Sequence, residues 1–127
     1  MNEVVREWID KGEGDFLTAT REVQADPPNY DAVCFHAQQC IEKLLKAALI
    51  ARGEIPPKTH DLAALSRLLC SSDPEWHWPT EQLRLLSRAA VIFRYPGESA
   101  GREEAEAALD VSRTMRERLL SLLAESP

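Results

Sequence analysis

The sequence predicts an all-α fold: an up-and-down four-helix bundle with one extra short helix, built as a single domain. Three observations carry this reading. Apolar residues recur at three- and four-residue steps through five segments. Turn-rich stretches separate those segments, at "ADPPN" (25–29), "GEIPPK" (53–58), "SSDPEWHWP" (71–79) and "YPGESAG" (95–101). No segment shows the sustained alternation of a strand. Four long helices and one short one, joined by modest loops, pack as a bundle. With 127 residues there is material for one hydrophobic core and one domain, 1–127.

The first helix is predicted from about Asn2 to Gln24, with Val5, Trp8, Gly12, Phe16, Ala19 and Val23 forming one stripe. Gly12 and Gly14 each cost about 1 kcal/mol against alanine inside a helix. Close approach of a neighbouring helix at Gly12 offers a compensation. The second helix opens near Asn29, an N-cap residue after two prolines, and stops near Gly53, suited to the position after the C-cap. A short third helix follows "KTH", from about Asp61 to Cys70, with Leu62, Leu65, Leu68 and Leu69 inward. The fourth starts after Thr80, read as its N-cap, and runs to "RYPG" with Leu83, Leu86, Ala89, Ala90 and Phe93 inward. The fifth spans about Gly101 to Ala124 and buries Ala105, Ala108, Leu109, Ser112, Met115, Leu119 and Leu122. Glutamates at 103, 104 and 106 precede arginines at 113, 116 and 118, an order that suits the helix dipole.

Composition excludes several classes. A net charge of −6 argues against non-specific coating of nucleic acid, although a local basic patch remains compatible with it. Cys34, Cys40 and Cys70 are odd in number and lack a CxxC pair, so buried free thiols in a reducing cytoplasm are expected. The N-terminal "MNEVVREWIDKGEGDF" has no apolar core of a signal peptide, and the longest apolar run, "AALIA", is too short to cross a bilayer. Neither a glycine-rich phosphate loop nor a nucleophile elbow is present. The three histidines do not cluster by spacing and "CFH" is no zinc motif, so no metal and no cofactor are expected.

The stretch "FHAQQCIEKLLKA" (35–47) carries the most chemistry. At about 100° per residue, Val33, Ala37, Ile41, Leu44, Leu45, Ala48 and Leu49 gather on a core face. His36, Gln39, Lys43 and Lys46 form a row elsewhere on the helix, with Gln38 and Glu42 beside it. Glu42 precedes Lys46 by four residues, the favourable order for an ion pair. Such a row serves either as a solvated face or as a polar groove or subunit contact. Two ammonium groups, amides and an imidazole are able to receive a phosphate or a carboxylate.

These residues resemble the HEPN domain family, whose second helix carries a similar Gln-Gln, Glu-Lys and Lys-Ala pattern. Trp8, Gly12 and Asp15 in the first helix, "THDL" (59–62) at the third and "RYP" (94–96) closing the fourth follow in the family's order. The resemblance spans residues 8 to about 120. It implies a small helical bundle that forms a homodimer, often encoded in prokaryotes beside a minimal nucleotidyltransferase. It also implies a link to toxin–antitoxin systems, in which many members are metal-independent RNases. Their signature is an arginine followed four to six residues later by a histidine at a dimer cleft. Histidine moves protons near neutral pH and arginine stabilises phosphorane charge bidentately.

Here the chain departs from that signature. After Arg94 come Tyr95, Pro96, Gly97, Glu98, Ser99 and Ala100, and no histidine lies downstream. The expected function is therefore a HEPN module that binds a nucleotide or a nucleotidyltransferase partner, through Gln39, Lys43 and Lys46 of the second helix and Arg94 and Tyr95 of the fourth. Two alternatives stay open: a degenerate RNase toxin pairing Arg94 with His60, and a plain helical adaptor. His60 otherwise reads as a helix-start residue that holds the preceding connection, His36 as a surface or interface residue, and His77 as a loop residue packed by Trp76 and Trp78. The proposed pocket requires Lys46 and Arg94 to lie side by side.

Overall fold

The computed structural model describes residues 2–125. Among them lie five helices and no strand: α1 (Glu3–Glu22), α2 (Tyr30–Ala51), α3 (Leu62–Ser72), α4 (Thr80–Ile92) and α5 (Arg102–Ala124). No helix among the described residues is long and apolar enough to cross a membrane.

Local chemistry fixes most of the boundaries. Asn2 accepts from the Val5 amide at 2.8 Å and Asn29 from the Ala32 amide at 3.1 Å, so each satisfies an orphan donor of the first turn. Asp61 accepts from the amides of Ala63 and Ala64 at the start of α3. α2 ends in a Schellman motif. The Glu54 amide donates to the Leu49 carbonyl at 3.0 Å and the Gly53 amide to the Ile50 carbonyl at 2.9 Å. Gly53 sits at φ +80°, a conformation that glycine adopts without steric cost. The start of α4 differs from expectation. Pro79 occupies the N-cap position and Thr80 is already helical; no side chain caps the end. Proline satisfies the geometry through its fixed φ, and the Trp78 indole donates to Gln82 at 2.8 Å to hold the entry.

α2 is the axis of the molecule and touches each of the other four helices. Val33, Cys34, Ala37, Cys40, Ile41, Leu44, Leu45, Ala47, Ala48 and Leu49 are fully buried along it. α1 lies close because Gly12 has no side chain. A Cβ there would stand 3.2 Å from the Cys40 carbonyl oxygen and 3.2 Å from Leu44. α5 is joined through Ser112, whose hydroxyl donates to the Ala37 carbonyl at 2.9 Å. α3 and its following loop close the far end, where the buried Trp76 indole donates to Ser66 at 2.9 Å. Leu68 departs from expectation: it is 42% exposed because Leu62, Leu65 and Leu69 already fill the narrow face that a short helix offers. His77 is exposed rather than packed, since Trp76 and Trp78 stack on each other with centroids 5.6 Å apart.

Candidate functional site

The polar row of α2 faces protein, because α1 and the α2–α3 connection cover it. Two hydrogen-bonded clusters result. The first is centred on Asp15, a nearly buried carboxylate on the inward stripe of α1. It accepts from Lys43 Nζ at 2.5 Å on one oxygen and meets His36 Nδ1 at 2.7 Å on the other. Through this contact Asp15 fixes the orientation of the imidazole. His36 keeps part of its ring open to solvent.

The second cluster is centred on Glu42, only 4% exposed. Its carboxylate accepts from Gln38 at 3.1 Å and from Lys46 at 3.1 Å, and lies 3.0 Å from His60 Nδ1. Gln39 donates to the Gln38 carbonyl oxygen at 2.8 Å, and Gln38 also donates to the His60 backbone carbonyl at 3.3 Å. Burial pushes the Glu42 carboxyl upward, but the hydrogen bonds from Gln38, His60 and Lys46 outweigh it and hold the group below the usual range. Lys46 is itself 8% exposed and lies over the Trp8 ring at 5.7 Å. The sequence expectation of two available ammonium groups is therefore corrected. Lys43 and Lys46 are each committed to a carboxylate, the one on α1 and the other on α2.

Arg94 and Tyr95 stand just beyond α4, ahead of Gly97 at φ +93°. Tyr95 is 63% exposed. The Arg94 guanidinium lies 5.9 Å from the Phe35 ring centre, and Phe35 meets His36 edge-on at 5.2 Å. Arg94 has no carboxylate partner among the described residues. Phe35 and Lys46 are eleven residues apart on α2, about 16 Å of helix rise. Arg94 thus adjoins the Asp15 cluster and not Lys46, so the protomer does not set those two cations side by side. The His60 ring pairs with Glu42 and not with Arg94.

Sequence reasoning passed over Phe35 and read His36 as a surface or interface residue of the polar row, without its partner Asp15. The available signal was Asp15. It falls on the same stripe as Gly12 and Ala19, so an inward carboxylate demanded cationic or imidazole partners on the facing helix. The thiols match expectation at two positions. Burial raises Cys34 to about 11 and Cys40 to about 12, so both stay protonated at neutral pH. Arg116, read as a dipole device, also clamps α5 to α1 through a bidentate pair with Glu13 at 2.6 and 2.7 Å.

An all-α bundle whose central helix carries an internal polar row, and whose fourth helix is followed by an arginine with no carboxylate partner among the described residues, defines a helical module with landmarks in a fixed order. Residues 5–122 match the model of the HEPN domain family, and the chain belongs to that family. HEPN domains commonly dimerise. The crystal structure of TT1696 from Thermus thermophilus has the same fold, with a TM-score of 0.77 and 23% identity over 96% of this chain and 99% of that one. ST0689, an archaeal HEPN homologue, gives a TM-score of 0.68 and 20% identity over 95% of this chain and 98% of that one. No curated protein matches the chain.

Proposed function

We propose that this chain is a homodimeric, non-nucleolytic HEPN module that binds the phosphate of a nucleotide at the end of α4 and works with a nucleotidyltransferase partner in a toxin–antitoxin-like pair. One observation carries the reading: Arg94 is a cation without a carboxylate partner among the described residues, held over Phe35 beside the half-exposed His36. An uncommitted guanidinium is a bidentate phosphate receptor. Tyr95 supplies an exposed ring beside it for a base or a partner side chain. Lys43 borders this surface through Asp15. Gln39 and Lys46 support it indirectly, by keeping Glu42 and the facing edge of α2 in place.

A second reading has its own observation. If acid–base chemistry on RNA survives, the dyad of Asp15 and His36 is its natural base, because Asp15 orients the ring and Phe35 links it to Arg94. His60 is the weaker choice, since its Nδ1 already faces Glu42. The test is calorimetric titration with ATP, run beside incubation with single-stranded RNA. The first reading expects saturable binding without RNA breakdown, and loss of binding at least tenfold in Arg94→Ala. RNA degradation that disappears in both Arg94→Ala and His36→Asn supports the second reading. If neither binding nor degradation is seen, the adaptor reading stands.

A further inference from the structure

α4 carries two stripes, and only one is used inside the protomer. Leu83, Leu86 and Ala90 point into the core. Leu85 and Ile92 are 39% and 37% exposed, and with Ala89 they line an open groove of about 620 Å³ against Ala107 of α5. Val91 and Tyr95 are further exposed apolar side chains at this end of the chain segment. An apolar strip of this kind beside a finished core is spare surface for association.

Charges frame the groove in a polarised way. Arg84 and Arg88 stand on the α4 side, preceded by Glu81 at the start of that helix, while Glu103 and Glu104 stand on the α5 side. None of these five forms an ion pair among the described residues. A surface with both its cations on one wall and a pair of anions on the other is complementary to itself under a two-fold axis that runs along the groove. Such an axis lays α4 of one copy on α5 of the other.

We infer that this groove docks a second copy of the same chain, with Leu85, Ala89 and Ile92 at the centre, and Arg84 and Arg88 facing the partner's Glu103 and Glu104. The inference rests on the homodimer reading above and names the face that serves it. Complementary rim charges set register and exclude wrong pairings, and the apolar centre supplies association energy.

Light scattering after size exclusion tests this with two charge-reversed proteins. One carries Arg84→Glu and Arg88→Glu; the other carries Glu103→Arg and Glu104→Arg. Neither pair of changes breaks an ion pair of the protomer, and helix content and melting curves check that each variant remains folded. The expected result is that the unaltered chain runs at twice 14.3 kDa, each variant alone runs as a monomer, and an equimolar mixture recovers the dimer mass. A dimer that survives both reversals overturns the assigned face while leaving the homodimer intact. An unaltered chain that is monomeric at micromolar concentration overturns both. Monomeric variants that fail to recombine overturn the proposed register.

Discussion

Glu42 and Lys46 show how far a side chain's role depends on what covers it. In sequence they are an i,i+4 pair, worth a few tenths of a kcal/mol on a wet helix. In the fold they are 4% and 8% exposed, with Gln38 and His60 completing the shell. Removing one partner then strands a charge, at a cost of about 3 kcal/mol or more. Lys46→Met is expected to lower stability by that order in urea denaturation, whereas the double change Glu42→Leu with Lys46→Met is expected to cost less than the single one. Because Glu42 is held below its ordinary value, its contribution is present above the unfolded carboxylate pKa, near pH 4, and fades as pH falls through the lower folded value. The stability of the unaltered chain should therefore drop in acid more steeply than that of Glu42→Gln, as measured by denaturant midpoints from pH 7 to pH 3.

Two glycines two positions apart on α1 behave differently because α2 lies against only one of them. Gly12 meets the Cys40 carbonyl and Leu44, while a Cβ at Gly14 would meet nothing within 4 Å. Gly14→Ala is expected to stabilise by about 0.5–1 kcal/mol through helix propensity alone. Gly12→Ala gains the same propensity but pushes α1 from α2, and is expected to destabilise; thermal melts of the two variants decide. The close approach at Gly12 was legible in the sequence, as were the cap at Asn29 and the stop at Gly53, since each depends on a few neighbouring residues. Thr80 misled because proline can start a helix without a side-chain cap. The polar row of α2 was legible as a row but not as an interior one. A helical wheel shows which residues share a face; it does not show that α1 will bring Asp15 onto that face, or that His60 will close over it.

At the scale of the molecule, the internal use of Lys43 and Lys46 moves the candidate contact surface to the end of α4. Arg94, Tyr95 and His36 are the groups there that remain open to a ligand, and the apolar side of α4 runs away from them toward the proposed dimer face. A sequence alone cannot weigh a committed lysine against a free arginine, because that difference is made by contacts between helices. The binding proposed at the end of α4 depends on this division of labour between structural and binding cations. Its most direct test is a ¹H–¹⁵N spectrum of the labelled protein titrated with ATP, followed at the Arg94 Nε, the Tyr95 amide and the Lys46 amide. The expected result is saturable movement of the Arg94 and Tyr95 signals with the Lys46 signal unchanged. Movement at Lys46 with Arg94 unmoved would contradict it.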